Sequence, residues 1–145
     1  MRFEGSFKSA APKEVLYSFL IEPRNLVGIV PDVTESKVID ADHIFLKARA
    51  GIGPIKGVMD MDLTIADKKQ DKSAKLVGRG RGMQSSVDLV LSVTLEEIPG
   101  GCNGAWAANV EVGGMLASVG GRLISGVAER YIRQITDNLN NAVKK

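Results

Sequence analysis

The sequence predicts an α+β fold in which a curved antiparallel sheet of about seven strands wraps around a long C-terminal helix. Two observations carry this prediction. Between residues 34 and 112, successive stretches alternate apolar and polar residues, as half-buried strands do. Residues 114–143 instead space apolar residues three and four positions apart, as an amphipathic helix does. The turns between the strands are short and favour antiparallel neighbours, and the helix supplies the cover that one face of such a sheet requires.

The elements before the helix are delimited by turn residues. A short strand is expected at residues 2–8. A helix is expected to start near Pro12, because the missing N–H of proline costs nothing in a first helical turn. A second short helix is expected at 25–30, where Pro31 ends it. Six further strands are expected at residues 34–39, 43–50, 55–66, 74–81, 85–97 and 104–112.

One continuous helix, about 45 Å long, is predicted for residues 114–143. Gly120, Gly121 and Gly126 are its weak points, because each glycine costs about 1 kcal/mol relative to alanine in a helix. They could alternatively let the helix approach the sheet closely. The predicted buried stripe consists of Leu116, Val119, Leu123, Val127, Tyr131, Ile135, Leu139 and Ala142.

Composition limits the possible functions of the chain. Its 145 residues, 44% hydrophobic and 25% charged, suit a single domain spanning residues 1–145. A net charge of +2 gives no argument for nucleic-acid binding. The single cysteine excludes an intramolecular disulfide and a multi-cysteine metal site. The sequence shows neither a signal-peptide core nor an apolar run approaching 18 residues, so a cytoplasmic protein with at most peripheral membrane contact is expected.

Candidate catalytic groups are few. His43 beside two aspartates could form a weak metal site or a general base, but a polar residue at a hairpin end is the simpler interpretation. Cys102 lies in a glycine-rich turn with no histidine nearby in sequence. Asp60 and Asp62 share a strand face, which solvent exposure explains. We therefore expect no catalytic residue, no metal site and no cofactor.

Basic residues alternate on two predicted strands. Lys47 and Arg49 lie on one of these strands, and Arg79 and Arg81 on the other. The ordinary interpretation is a solvated outer face. The alternative is a docking surface for an acidic protein or an anionic lipid. Stacking aromatic residues do not interleave with these charges, which argues against single-stranded nucleic acid.

Several local motifs resemble those of one protein family. They are the run from Gly53 to Gly57 that enters a strand, the glycines at 78, 80 and 82, and the run from Val110 to Ala117. Together with the helical pattern, they resemble the CoxG family of carbon monoxide dehydrogenase subunits, within the polyketide cyclase and lipid-transport (START-like, helix-grip) superfamily. The resemblance covers nearly the whole chain. It implies a deep apolar cavity between sheet and helix, and a role beside molybdenum hydroxylases, either docking them to the membrane or carrying a quinone-like lipid.

Small residues on the strands fit this implication. Gly57, Gly78, Gly80, Gly82, Ala105 and Ala107 could mark bends in the sheet, or they could leave room for a ligand. With the resemblance, the residues expected around a ligand are Phe19, Leu26, Val30, Met59, Met61, Leu63, Leu76, Leu89, Leu91, Trp106, Leu116, Val119, Leu123 and Val127. The alternative is that these residues form an ordinary packed core.

Three functions are consistent with the sequence. The first is non-catalytic binding of a hydrophobic small molecule, either a lipid or a quinone-like compound, in service of a molybdenum hydroxylase. The second is an assembly or docking subunit of a carbon monoxide dehydrogenase-type metalloenzyme, in which the cavity is incidental. The third is a polyketide cyclase-like enzyme, for which polar residues would have to point into the cavity. Few polar residues are in phase with the apolar faces, so this function ranks last.

Overall fold

A seven-stranded antiparallel sheet and the helices packed on its inner face make up residues 1–143, the part of the chain that the computed structural model describes. The elements are β1 (Arg2–Ser9), α1 (Lys13–Leu20), α2 (Pro23–Ile29), β2 (Val33–Val38), β3 (His43–Ile52), β4 (Ile55–Lys69), β5 (Ser73–Gly82), β6 (Ser85–Ile98), β7 (Gly101–Gly114), a 3₁₀ helix (Met115–Val119) and α3 (Gly121–Val143). The predicted fold class and element order are confirmed. The main differences are at strand ends, where β4 and β7 run further than predicted.

The first strand of the chain forms one edge of the sheet. Its order is β1-β7-β6-β5-β4-β3-β2, so strands β2 to β7 each pair with their neighbour in sequence. β1 instead pairs with β7, in a register that sets Arg2 opposite Asn109. The amino group of Met1 continues this pairing by donating to the Val110 carbonyl at 2.8 Å. The inner face of β1 is therefore positioned by the pairing of the first strand with the last strand.

The largest buried cluster lies where α1 and α2 meet the sheet. Leu16 from α1, Ile44 and Leu46 from β3, and Cys102 from β7 are almost completely buried there. The buried side of α1 is formed by Leu16 and Tyr17, whereas Val15 is 50% exposed. The C-terminal part of α3 joins the cluster through Leu139.

The prediction of one continuous helix over residues 114–143 is wrong. Met115–Val119 forms a short 3₁₀ helix, and α3 starts only at Gly121. Gly114 and Gly120, which flank the 3₁₀ helix, have φ angles of 74° and 92°. These lie in the left-handed region that glycine adopts at little cost, so the glycines redirect the chain here. α3 has 23 residues and is about 35 Å long.

The break also changes which residues are buried. Within α3 the predicted stripe is confirmed at Val127 and Leu139, which are both buried, but it fails near the break. Ile124 and Val127 are buried against the sheet, and Leu116 is buried in the 3₁₀ helix. Leu123, predicted on the buried stripe, is 40% exposed, so its assignment was wrong. None of the helices among residues 1–143 combines the length and apolarity that a membrane crossing requires.

Candidate functional site

The inner face of the sheet is a continuous apolar surface. Strand alternation places Leu76, Leu91 and Ala108 side by side on β5, β6 and β7, and Phe3 of β1 continues the row. Leu91 and Phe3 are only half-buried. The helices therefore cover this face only in part, and some of its apolar side chains remain accessible.

A groove opens on this face beneath α1 and α2. Its volume is about 60 Å³, well below the 300–1,000 Å³ typical of small-molecule pockets. Eight of its lining residues are apolar, and the polar ones are Tyr17, Ser73 and Lys75. The groove is lined by Tyr17, Leu20, Leu26, Ile65, Ser73, Ala74, Lys75, Leu76, Leu91, Val93 and Leu95. By itself it admits only part of an apolar molecule.

A larger crevice separates α3 from the β1–β7 edge. Its volume is about 440 Å³, within the usual range of ligand pockets. Phe3, Trp106 and Ile132 supply its apolar surface. Its charged residues are Arg2, Glu4, Glu129 and Arg133. An amphipathic molecule with one flat apolar part fits this chemistry, because aromatic rings favour offset stacking.

The groove and the crevice adjoin. Val93, which lines the groove, and Trp106, which lines the crevice, are cross-strand partners on β6 and β7. Directly opposed residues on one sheet face have Cβ atoms about 5 Å apart. The linings of the groove and the crevice are therefore neighbours across β6 and β7.

The glycines of the inner face make room for neighbouring side chains. A Cβ atom at Gly80 would lie 2.8 Å from Met59 Sδ, and one at Gly78 would lie 3.0 Å from Leu63 Cδ2. Further along the same face, Gly5 lies under the Trp106 ring and Gly104 under the Phe7 ring. The space above each of these glycines is filled, so the expectation of room for a ligand at Gly78 and Gly80 is wrong.

The other small residues of that expectation are also excluded from the site. Met83 fills the space at Gly57, where a Cβ atom would lie 2.7 Å from Met83 Cγ. Ala105 and Ala107 pair with Ser6 and Glu4 on the outer face of the sheet. The open space is found instead at the groove and the crevice.

The predicted lining residues fall into three groups. Leu26, Leu76 and Leu91 line the groove, and Trp106 lines the crevice. The second group, which belongs to the packed core beside the groove, comprises Phe19, Val30, Met61 and Leu63. The third group lies outside both spaces and that core cluster; it comprises the buried Met59, Leu116 and Val127, the half-buried Leu89 and Val119, and the exposed Leu123.

Other lining residues were not predicted. Tyr17, which is buried, and Leu20 reach the groove from α1. Phe3 and Ile132 meet at the crevice because β1 pairs with β7 rather than with β2. Phe3 is in phase with Phe7 on β1, so the alternation of that strand was the available signal.

The titratable groups singled out in the sequence lie outside the groove and the crevice. Cys102 is completely buried, and burial raises the pKa of its thiol, which disfavours the nucleophilic thiolate. His43 is exposed at the β2–β3 turn, with its Nδ1 2.7 Å from Asp40 Oδ1. The backbone N–H of Asp42 and then the His43 ring lower the pKa of Asp40. Among residues 1–143, no group of three or more His, Cys, Asp or Glu side chains is arranged to hold a metal ion.

The basic residues of the middle strands are interleaved with acidic ones. Arg79 lies between Asp62 and Asp88 across the strands, and Arg81 is opposite Asp60. Lys47 forms an exposed ion pair with Glu35 at 3.9 Å. The alternating signs favour a solvated outer face for this part of the sheet.

Comparisons with known proteins agree with this architecture. Residues 5–144 match CoxG, a family of carbon monoxide dehydrogenase subunits. The chain has no significant match among curated protein sequences.

Solved structures share the fold at low sequence identity. A conserved protein from Geobacillus kaustophilus is 24% identical over 99% of this chain and 95% of that protein, with a TM-score of 0.91. A START superfamily protein from Mycobacterium smegmatis is 11% identical over 99% and 97% of the two chains, with a TM-score of 0.76. The di-domain ARO/CYC BexL of the BE-7585A biosynthetic pathway is 10% identical, and this chain covers half of it with a TM-score of 0.66. These likenesses show a START-like, helix-grip fold.

Proposed function

Because the chain belongs to the CoxG family of carbon monoxide dehydrogenase subunits, we propose that it is a non-catalytic carrier of a hydrophobic small molecule of the lipid or quinone class. The observation that carries the proposal is the adjoining groove and crevice on the apolar inner face. The ligand lies with a flat part against Trp106 and with an apolar chain directed past Val93 into the groove. This arrangement uses both spaces, whereas the groove is too small to enclose such a molecule alone.

The binding energy in this proposal comes from burial of apolar surface. Enclosing about 300 Å² of ligand contributes roughly 7 kcal/mol before the entropy costs of association. The groove offers eight apolar lining residues and the hydroxyl and ammonium groups of Tyr17, Ser73 and Lys75. Within the groove, polar groups this few orient a ligand rather than transform it, which supports a carrier. The charged residues of the crevice, Arg2, Glu4, Glu129 and Arg133, are all exposed, as expected where a site opens to solvent.

Trp106 is the single tryptophan of the chain and therefore reports on its own site. Titration with a short-chain quinone is expected to quench its fluorescence saturably. Leu91→Gln, which places an amide in the groove, is expected to weaken binding about tenfold, because an unpaired polar group is costly in an apolar site. Val90→Gln is the matched control, since Val90 is the next residue on β6 and is 40% exposed on the outer face.

A thermal melt of each variant separates loss of binding from loss of fold. Ala74→Phe provides a second test, because it fills the groove from β5 without introducing a polar group. Absence of saturable quenching in the wild type would refute the proposal. Equal binding by the Leu91 and Val90 variants, together with normal binding by Ala74→Phe, would place the ligand elsewhere.

The family name supports a second candidate, a docking subunit of a carbon monoxide dehydrogenase-type molybdenum hydroxylase. In this case the outer surface meets the enzyme and the inner face is incidental. Mixing the chain with such an enzyme and measuring complex formation by size-exclusion chromatography tests the idea. A stable complex that Leu91→Gln leaves unchanged, combined with no quinone binding, would favour docking over carriage.

The cyclase-like alternative is supported only by the fold shared with the ARO/CYC di-domain. That likeness leaves the chemistry open, because one fold serves many functions. His43 and the paired Asp60 and Asp62 lie outside the groove and crevice, so the residues considered for acid–base work do not meet a ligand there.

A further inference from the structure

Tyr17 combines burial with polarity in a way that no other lining residue of the groove does. It is only 3% exposed and lines the groove from α1. The other two polar lining residues, Ser73 and Lys75, are less buried, and strand alternation turns their side chains away from the face that carries Ala74 and Leu76. Inside the groove, the Tyr17 hydroxyl is therefore the polar side-chain group that a ligand meets.

The Tyr17 hydroxyl has no partner within the part of the chain that the structure describes. No side-chain hydrogen bond of residues 1–143 involves it. Its oxygen is not sealed from solvent, because Asn140 Oδ1 is the only completely buried side-chain nitrogen or oxygen of those residues that lacks a partner. The small accessible area of Tyr17 thus includes the hydroxyl and belongs to the groove wall. Water or a ligand in the groove completes its hydrogen bonding.

A ligand that occupies the groove displaces the water at this hydroxyl. A plain hydrocarbon chain would leave the O–H group without a partner, and an unpartnered buried donor weakens binding. A ligand oxygen at the same place would restore the hydrogen bond. Because the oxygen lone pair of a phenol is delocalised into the ring, the hydroxyl is a better donor than acceptor, and an acceptor is the matching ligand group.

We propose that Tyr17 is a specificity-determining residue whose hydroxyl donates a hydrogen bond to a carbonyl oxygen of the ligand. The inference rests on the proposed carrier function and narrows its ligand class to molecules with a carbonyl where the apolar chain enters the groove. A quinone with a ring carbonyl beside its chain meets this requirement, and so does the ester of an acyl lipid. The groove, at about 60 Å³, admits such a group with a few methylene groups.

The test uses two pairs of compounds that differ in the carbonyl group. One pair is a short-chain alkylquinone and the alkylbenzene with the same chain, and the other is a fatty acid methyl ester and the alkane of the same length. Quenching of Trp106 fluorescence reports quinone binding, and the other three compounds are measured by displacement of the quinone. Tyr17→Phe is expected to weaken binding of a carbonyl compound about fivefold and to leave its hydrocarbon counterpart unchanged. The pair that shows this loss identifies the source of the carbonyl.

The matched control is Tyr131→Phe, which removes the same hydroxyl from the second of the two tyrosines in the chain. Tyr131 is half-buried on α3 and lines neither the groove nor the crevice. Its replacement is expected to leave the binding of all four compounds unchanged. A thermal melt of both variants is expected to show nearly wild-type stability, because each substitution removes one oxygen atom and leaves the ring in place.

The inference is overturned if Tyr17→Phe weakens both members of each pair equally, which would indicate a role in shape alone, or if it weakens neither. The wild type provides a test that does not depend on the variant folding. A groove without a hydrogen-bond donor favours the hydrocarbon of each pair, because a carbonyl must give up its water. A wild type that prefers the hydrocarbon in both pairs therefore also overturns the inference. Saturable quenching without carbonyl selectivity would overturn the role of Tyr17 but leave the carrier function standing, whereas absence of saturable quenching would overturn both.

Discussion

The two ends of the sheet are built differently: the groove end, beneath α1 and α2, and the turn end, where the β3–β4 turn lies beside Leu123 and the β5–β6 turn beside Met115. At the groove end, exposed charges form the ion pairs Lys68–Asp42 and Lys75–Asp67, and α1 and α2 seal most of the apolar surface. At the turn end, the apolar side chains of Val58, Met115 and Leu123 are exposed. The difference indicates that the groove end supplies more of the stability than the turn end does.

The largest expected contrast is between one leucine at each end. Leu16→Ala, in the completely buried core at the groove end, is expected to lower the free energy of unfolding by about 3 kcal/mol. Leu123→Ala, at the turn end, is expected to change it by less than about 0.5 kcal/mol, because the side chain already contacts solvent. Urea unfolding followed by circular dichroism measures both. Similar losses for the two variants would contradict the proposed division of stability.

Replacing a glycine by alanine is expected to have opposite effects on stability at two positions, Gly104 near the groove end and Gly126 in α3. Gly104→Ala is expected to destabilise the protein by about 2 kcal/mol, because its Cβ would lie 2.5 Å from the Phe7 ring beside the groove-end core. Gly126→Ala, in the first half of α3, is expected to stabilise it by up to about 1 kcal/mol, because no neighbouring atom lies within 4 Å of the added Cβ and alanine favours helix. Melting temperatures that shift in the same direction would show that the local space at these glycines has been misjudged.

These glycines also show how far the sequence predicts the structure. Alternation in β4 correctly predicts that Met59 and Leu63 are buried and that Asp60 is exposed, because a period of two fixes which face each side chain takes. Cross-strand register is not encoded in that period. The sequence therefore indicates a glycine on the inner face but not which side chain from the next strand fills the space above it.

For the candidate site, too, the sequence predicts which face a side chain takes but not which strands pair. Leu26, Leu76 and Leu91 were predicted as lining residues because their own strand or helix determines their face. Phe3 and Ile132 were missed because the crevice depends on β1 pairing with a strand near the other end of the chain. The glycines at 120 and 121 were recognised as weak points, but a cost of about 1 kcal/mol each does not decide between a weakened helix and a break, and the positive φ of Gly120 has no separate sequence signal.

The smallest expected effect concerns a charge pair at the groove end. The hydrogen bond from the Asp42 backbone N–H, and then the His43 ring, lower the pKa of Asp40 below its ordinary 3.8. The interactions that lower this pKa therefore stabilise the folded protein at pH values above the pKa of Asp40 in the unfolded chain. This stabilisation is lost as the pH falls through the lower pKa of Asp40 in the folded chain. The effect on stability is small because both side chains are exposed.

Carbon-13 NMR of the Asp40 carboxyl group checks this directly. Its titration midpoint is expected below 3.8 in the folded protein, and His43→Gln is expected to raise the midpoint part of the way back. A midpoint at or above 3.8 would show that the turn does not hold the carboxylate in the described geometry.

The pairing of the first strand with the last has a consequence for synthesis on the ribosome. The hydrogen bond between Met1 and Val110 joins residues 109 positions apart. At about 5–20 residues per second, roughly 5–20 s pass between translation of the two partners. During that interval Phe3 and Phe7 have no strand to pair with and no helix to cover them, since both β7 and α3 are still to be made. The nascent chain therefore presents β1 as an unpaired apolar strand for several seconds, during which the strand is accessible to a chaperone.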